Sequence, residues 1–305
     1  MVIGIATQPV MTSGDRLRIG QATIHRIADI ERIGWPVSAI FRDLTSGDLV
    51  ETEARYPGAV DAAASQLILS FSSYIIDMPG CLCLIDTGIG NDKERLDRPA
   101  WHQRNGDFMQ RLKSLGYEPG QFDIVVNTHL HADHVGWNTT KSAQGWNPTF
   151  PNARYIVPAS ELAHWRRLYE ADPSGHVLHG AFEDSVRPLL DARRYEAVDL
   201  PAQIAPGLSL EPAPGHTLGM AAVRLKTPDG DVLFSADVLH SPVQLKNPDV
   251  TSNFCVDPAQ ARATRHALLD GCARSNAILA TYHFPPPVFG HIVKSGSGYL
   301  FEPVA

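Results

Sequence analysis

Three histidines and one aspartate occupy six consecutive positions in the segment His-Leu-His-Ala-Asp-His that begins at His129. Imidazole nitrogens and carboxylate oxygens are ligands that suit zinc and related transition metals. The segment follows the apolar run at residues 124–126, which is typical of a buried strand. In extended backbone His129 and His131 point to the same side, and the turn that follows can bring Asp133 and His134 to a neighbouring point. We therefore expect metal ligands where this strand ends.

Three more candidate ligands each follow an apolar, strand-like run. His216 lies in a Pro-Gly-His-Thr turn, Asp237 follows Val-Leu-Phe-Ser-Ala, and His283 follows Ala-Ile-Leu-Ala-Thr-Tyr. Each residue alone is more often structural, and a chain with 13 histidines can cluster some by chance. Sites in layered α/β folds gather at strand ends, so the repetition of this pattern favours a single converging site.

The elements that would position these side chains alternate between strands and helices. Helices are predicted at residues 107–115, with Gly116 as the stop, at 160–169, with Ser160 as N-cap, and at 258–272, with Pro258 in the first turn. A strand is expected at residues 24–27, with the rest of 17–66 irregular. Strands and helices on both sides of the ligands predict an α/β sandwich.

The order of the candidate ligands resembles that of the metallo-β-lactamase superfamily. Its H-x-H-x-D-H signature matches the hexapeptide residue for residue, and its later ligands match His216, Asp237 and His283. The strand pair before the signature, with its Asp-Thr-Gly turn, matches residues 73–88, and the resemblance runs from about residue 67 to residue 292. It implies an α/β fold of the four-layer αβ/βα sandwich type.

The resemblance also implies two adjacent metal sites and a role for each ligand. The first site would use His129, His131 and His216, the second Asp133, His134 and His283, and Asp237 would bridge both. Two such metals can share a hydroxide and polarise a scissile carbonyl or phosphoryl oxygen. Two zinc ions are the expected cofactors, although manganese, cobalt and iron accept the same ligands. Asp133 and His240 are the residues expected to take part in catalysis.

The nearest resemblance within the superfamily is to N-acyl homoserine lactonases and methyl-parathion-hydrolase-like enzymes. It implies a hydrolase that opens a lactone or cleaves an ester of a medium-sized hydrophobic substrate. The alternatives are a phosphotriester hydrolase and an iron-dependent sulfur dioxygenase on the same scaffold. The lactonases carry a tyrosine three residues after the bridging aspartate, where this chain has His240. That imidazole could donate a hydrogen bond or a proton to the substrate, or it could hold Asp237 in place.

Aromatic residues close to the ligands are candidates for the substrate pocket. Trp137 and Phe284 are expected to form walls of the cleft, although filling the core is the usual role of such side chains. Cys81 and Cys83 are interpreted as buried thiols, since the four cysteines form no C-x-x-C pair.

Composition excludes several other classes of partner. The net charge of −7 argues against a nucleic-acid-binding surface, and no apolar run approaches the length of a membrane span. Residues 1–6 are apolar but short and lack a basic leader, so we expect no secretory signal and a cytoplasmic enzyme. We divide the chain into an N-terminal arm and extension, 1–66, packed on a catalytic domain, 67–305. The extension could instead cover the pocket or form the contact of a homodimer.

Overall fold

Two mixed β-sheets form the centre of the computed structural model, which describes residues 11–12, 14–174 and 176–304. The strands in chain order are β1 (Met11–Thr12), β2 (Arg16–Ile19), β3 (Ala22–Pro36), β4 (Val60–Asp61), β5 (Gln66–Met78), β6 (Cys81–Ile85), β7 (Ile124–Val126), β8 (Thr139–Ser142), β9 (Gly145–Pro148), β10 (Arg154–Pro158), β11 (Tyr195–Val198), β12 (Ala202–Ala205), β13 (Leu208–Pro212), β14 (Ala221–Thr227), β15 (Gly230–Phe234), β16 (Ile278–Ala280), β17 (Phe289–Ser295) and β18 (Gly298–Pro303). The first sheet has the order β1-β2-β3-β5-β6-β7-β10-β11, with β4 paired to β5. The second runs from β12 to β18 in sequence order, and β8 and β9 form a separate hairpin.

Helices cover the outer faces of both sheets and fill the connections. They are α1 (Val37–Ile40), α2 (Ser46–Arg55), α3 (Phe108–Ser114), α4 (Ala132–Val135), α5 (Ala159–Ala171), α6 (Arg187–Asp191), α7 (Val243–Lys246) and α8 (Pro258–Ser275). Short 3₁₀ turns occur at Pro119–Gln121, Gly136–Asn138, Val177–Gly180 and Ala236–Val238, and a π-helical turn at Phe182–Val186. Across the described residues, every helix is too short or too polar to cross a bilayer.

Successive side chains along each strand point to opposite faces of the sheet, and this divides the core into layers. In β5, Tyr74 packs in the cluster between the two sheets, whereas its neighbour Ile75 packs outward against Phe108 of α3. In the second sheet, Leu233 of β15 packs outward with Leu269 of α8. Because successive strand residues face opposite sides, each central strand is buried on both faces. The resulting helix–sheet–sheet–helix order confirms the expected αβ/βα sandwich.

The segment at residues 17–66 contributes more regular structure than the sequence indicated. The strand expected at residues 24–27 is part of the 15-residue β3, which pairs with β5 from Thr23 opposite Asp77 to Pro36 opposite Gln66. Helix α2 then replaces part of the expected irregular chain, and a capping box between Thr45 and Asp48 starts it. That Thr-x-x-Asp pattern is the signal that would have found the helix.

The three predicted helices are confirmed as α3, α5 and α8, with shifts at their ends. Helix α3 is followed by Gly116 at φ 90°, as its predicted stop requires. Helix α5 begins one residue before the predicted N-cap Ser160 and ends at Ala171. Helix α8 begins at Pro258, with Asp257 as its N-cap, and continues to Ser275.

Candidate metal centre

The seven predicted ligands converge at the ends of strands from both sheets. Among the groups of potential ligand atoms that form, two contain these seven residues, and within each of the two the atoms lie within 4.8 Å of one another. The first group contains His129, His131, His216 and Asp237, and the second contains Asp133, His134, Asp237 and His283. The structure therefore brings together the two ligand sets that the resemblance implied. Helix α4, a single turn that starts after His131, carries Asp133 and His134 round to the second group.

Asp237 is the residue common to both groups. Its carboxylate oxygens lie 3.2 Å from His216 Nε2 of the first group, and 3.2 and 3.1 Å from His134 Nε2 and His283 Nε2 of the second. Asp133 Oδ2 lies 3.5 Å from His134 Nε2 and 3.8 Å from His283 Nε2. A carboxylate in the position of Asp237 can bind two neighbouring cations at once.

Several ligand atoms at the centre are buried without a hydrogen-bond partner in the described chain. They are His129 Nε2, His134 Nε2 and Asp237 Oδ1. In contrast, His131 Nδ1 and His216 Nε2 lie 2.8 Å apart, which is hydrogen-bond distance. Buried polar atoms are normally paired, and unpaired ones that point at each other are accounted for by a cation between them. The donor set therefore fits a pair of divalent metal ions.

Burial and neighbouring charge set the protonation of these groups. Burial lowers the pKa of His131 to about 4, and it lowers the pKa of His129 and of His216 well below the usual value. Burial acts in the same direction on His134, but the carboxylates of Asp237, Asp133 and Asp86 outweigh it and raise that pKa. Histidine binds metal as the neutral imidazole, so the first group is held in the form that binds.

Hydrogen bonds behind the ligands fix the orientation of the imidazole rings. His134 Nδ1 lies 2.9 Å from Asp86 Oδ2, and His283 Nδ1 lies 3.1 Å from the carbonyl oxygen of Ser70. Each Nδ1–H can donate to its acceptor, which leaves Nε2 directed at the centre. Asp86 also accepts bonds from the backbone N–H and the hydroxyl of Thr128, both at 2.7 Å.

Asp86 belongs to the Asp-Thr-Gly turn at residues 86–88, a part of the family resemblance for which no ligand role was predicted. It lies directly after β6 at φ 54°, a left-handed conformation that is costly for a residue with a side chain. The hydrogen bonds to Thr128 and His134 compensate for that cost.

The centre opens into a cavity of about 1210 Å³. His131, Asp133, His216, Asp237 and His283 line one part of it, and His240 lies beside them. The apolar lining is largely aromatic: it includes Trp35, Phe71, Trp101, Trp146, Trp165 and Phe254, with aliphatic residues such as Leu69 and Leu178. Phe71 connects the two regions, because its ring centroid lies 5.2 Å from that of His283 and 5.4 Å from that of Trp101.

The expectation that Trp137 and Phe284 form the cleft walls is wrong. Trp137 stacks on Phe108 at 5.6 Å in the outer core and donates its indole N–H to Asp29. Phe284 packs against Phe301 beneath the second sheet. Neither lines the cavity, because proximity in sequence to a ligand does not decide which face of the backbone a side chain leaves from.

The residues that do form the aromatic walls come from six separate segments, including β3 of the N-terminal extension. Their spacing in the sequence carries no periodic signal that could have identified them. Cys81 and Cys83 are buried free thiols on β6, as predicted.

The match of a family model agrees with this fold and this ligand set. The Metallo-beta-lactamase superfamily model matches residues 70–278, more than half of the chain. The chain belongs to the metallo-β-lactamase superfamily.

Curated relatives include N-acyl homoserine lactonases. That of Bacillus thuringiensis is 26% identical over 186 residues, which are 60% of this chain and 61% of that protein. That of a Bacillus species is 28% identical over 137 residues, 45% of this chain and 46% of that protein. The chain thus spans about half to three fifths of the length of these relatives.

Two solved structures share the fold over nearly the whole chain. One is the hydrolase AbOPH of the β-lactamase superfamily, with a TM-score of 0.79, 23% identity, and coverage of 97% of this chain and 99% of that one. The other is the dizinc quorum-quenching lactonase AidC, with a TM-score of 0.77, 19% identity, and coverage of 96% and 98%. At these identities the likeness concerns the fold.

Proposed function

We propose that this chain is a metal-dependent hydrolase that opens a lactone or cleaves an ester of a medium-sized hydrophobic substrate. The observation that carries the proposal is the convergence of seven potential ligands beside a large cavity with aromatic walls. The lactonases among its sequence relatives, and the lactonase AidC among its structural neighbours, support a lactone as the first substrate to test.

The seven residues of the centre would hold two divalent metal ions, for which zinc is the expected identity. The ligands are those of the two groups described above, with Asp237 shared. When bound, the ions would supply Lewis acidity toward the scissile carbonyl and would activate a water molecule near neutral pH. The three imidazoles of the first group are buried in the neutral form, and hydrogen bonds behind His134 and His283 orient the rings of the second group. The ligands are therefore largely preorganised, so little rearrangement is needed for binding.

The cavity walls favour a hydrophobic and uncharged substrate. Trp35, Trp101 and Phe254 can bury an acyl chain or an aromatic group and exclude water from it. Charged residues along the rest of the lining are predominantly acidic: they are Asp92, Glu94, Asp97, Asp172, Glu183 and Asp184, of which Asp184 is paired with the buried Arg95, together with Arg98 and Lys141. Away from the two metal ions, this excess of carboxylates disfavours anionic groups on the substrate, whereas neutral lactones and esters carry no such cost.

His240 is proposed to act on the substrate. Its side chain is buried and lines the cavity, and both ring nitrogens lack a hydrogen-bond partner in the described chain. Its Nε2 is 3.4 Å from Asp237 Oδ2, which is long for a bond that would fix that carboxylate. Burial lowers the pKa of His240, so the neutral ring has one N–H to donate to the carbonyl or leaving oxygen of the substrate. Asp133, which also lines the cavity, is proposed as a ligand that takes part in proton transfer.

The test compares substrates on one metal-loaded sample. N-acyl lactones of increasing chain length, aryl esters and neutral phosphotriesters are assayed together, and metal content is measured on the same protein. We expect close to two metals per chain and a preference for lactones or esters with hydrophobic groups. A preference for phosphotriesters would favour that alternative, and oxygen consumption with a persulfide by iron-loaded protein would favour the dioxygenase.

Asp237→Ala should abolish both metal binding and turnover, because it removes the ligand common to both groups. His240→Gln should retain two metals and lose turnover, with kcat reduced by about 10²–10³-fold, as expected for a group that transfers a proton in the transition state. Full hydrolysis by Asp237→Ala without metal would overturn the proposed function. Unchanged kcat in His240→Gln would remove His240 from the mechanism.

A further inference from the structure

Glu161 is a fully buried carboxylate in the first turn of α5, and the metal ligands described above do not include it. Its Oε1 accepts hydrogen bonds from the backbone N–H of Leu130 at 3.1 Å and from the indole N–H of Trp165 at 2.6 Å. Its Oε2 accepts a bond from the backbone N–H of Gly219 at 3.1 Å. These three donors are neutral, and burial raises the pKa of the carboxyl group. Burying an acidic group among neutral donors is costly, so its presence calls for an explanation.

The two backbone donors belong to the two loops that carry the three histidines of the first group. Leu130 lies between His129 and His131, directly beyond β7 of the first sheet. Gly219 follows His216 by three residues and precedes β14 of the second sheet. The two oxygens of one carboxylate therefore join a loop of each sheet at the point where those loops must present three imidazoles to one ion.

The backbone of α5 approaches the second loop so closely that only glycine fits there. A Cβ atom on residue 219 would lie 2.3 Å from the backbone nitrogen of Glu161 and 2.6 Å from its Cα. This contact brings the helix against the loop, so that the short Glu161 side chain can reach the N–H of Gly219.

The third donor couples the same carboxylate to the cavity wall. Trp165 lies one helical turn beyond Glu161, lines the cavity, and has its ring centroid 5.8 Å from that of His131. The bond from its indole N–H to Oε1 holds the ring against that ligand.

We propose that Glu161 is a positioning residue for the metal centre, which sets the distance between the His129–His131 segment and the His216 loop. The inference rests on the proposed function, since it concerns the same centre. Glu161 acts through backbone amides and touches neither metal nor substrate. Its loss should therefore weaken the site built from His129, His131 and His216 more than the site built from Asp133, His134 and His283.

Glu161→Gln is the principal test variant, because it keeps the size of the side chain but replaces one acceptor oxygen with an NH₂ group. At least one of the three N–H donors then loses its acceptor. We expect the affinity for one of the two metals to fall by about 10–100-fold, the usual effect of losing a group that orients ligands, while the other affinity changes little. Chelator competition measures both affinities, and the visible spectrum of the cobalt-loaded protein reports the geometry at each site.

Glu170→Gln is the matched control, since Glu170 lies on the same helix, is exposed, and pairs with Arg166 in an i,i+4 ion pair. It should leave both affinities unchanged. Trp165→Phe removes only the indole donor, and it too should leave the metal affinities within a factor of about two, since both loops keep their bonds to Glu161. If Glu161→Gln lowers the stability of the metal-free protein but binds both metals as the wild type does, Glu161 is a structural residue and the proposal is wrong.

Hydrogen exchange of the wild-type, metal-free protein tests the proposal without any variant. The amides of Leu130 and Gly219 should be protected when metal is absent, because Glu161 already holds them. Rapid exchange at both amides would overturn the proposal even if Glu161 variants do not fold. A wild-type protein that binds no metal would instead refute the proposed function, so the two failures are distinguishable.

Discussion

The free energy of unfolding of the wild-type protein should rise between pH 7 and pH 10 by about 3 kcal/mol more than that of a Lys93→Met variant. Lys93 is fully buried behind the cavity wall. Its Nζ lies 2.7 Å from the hydroxyl of Thr139, 3.6 Å from Asp184 Oδ1, and 3.6 Å from the ring centroid of Trp146. Arg95 already occupies the Asp184 carboxylate with two bonds of 2.7 and 2.9 Å. Burial therefore dominates and lowers the pKa of Lys93 from 10.5 to about 7.

The direction of the effect follows from proton linkage. The unfolded chain keeps the Lys93 proton up to its ordinary pKa of 10.5, whereas the folded chain releases it above about pH 7. Below pH 7 both states are protonated and the full cost of burying the charge is present. Between these two pKa values the unfolded state binds more protons, so the stability rises with pH. The cost in unfolding free energy of burying Lys93 is about 4 kcal/mol at pH 7 and about 1 kcal/mol at pH 10. The difference between the two pH values is about 3 kcal/mol.

Urea unfolding of wild type and Lys93→Met at both pH values measures this difference. Subtracting the two pH dependences cancels the titration of every group that the substitution does not disturb. Lys141→Met is the control, because Lys141 is exposed on the β8–β9 hairpin that also carries Trp146, and its Nζ lies 5.7 Å from the Trp146 ring centroid. If the free energy of unfolding depends on pH equally in wild type and Lys93→Met, Lys93 stays protonated in the folded protein. That result would refute the reasoning.

Two further predictions concern the centre and the cavity. Asp86→Asn should weaken metal binding by about 10–100-fold in chelator competition, because one carboxylate oxygen becomes an NH₂ group. The amide then cannot accept both the bonds made at Oδ2, from His134 and the Thr128 hydroxyl, and the bond made at Oδ1, from the Thr128 backbone N–H. Asp77→Asn, at an exposed carboxylate, should leave metal binding unchanged. Trp101→Ala should raise KM for long-chain substrates by about 5–30-fold, or about 1–2 kcal/mol of lost apolar contact, and should affect short-chain ones less. Trp137→Phe is the control for Trp101→Ala: it should lower the melting temperature without changing KM, since the Trp137 ring lies in the core. A KM in Trp101→Ala that rises equally for all chain lengths would contradict the proposed binding of the hydrophobic group by that wall.

The ligand set was predictable because metal binding demands particular residue types at short, repeated spacings. His129, His131 and His134 are local in sequence, and His216, Asp237 and His283 each end an apolar run that reads as a strand. The α/β class followed from the same runs and the helices between them, whereas the four-layer αβ/βα arrangement was implied by the family resemblance. The prediction that Trp137 forms a wall of the cavity was wrong, because its indole N–H donates to the buried carboxylate of Asp29, 108 positions earlier in the chain.

By itself the sequence determined which side chains could bind metal and that they would lie at strand ends. Only the tertiary structure decided what surrounds them. Glu161 joins loops from two sheets, and Trp35 reaches the cavity from the N-terminal extension. The physical reason is that ligand chemistry is a property of residue type and local spacing, whereas a wall or a buried acceptor is defined by which distant segments the two packed sheets bring into contact.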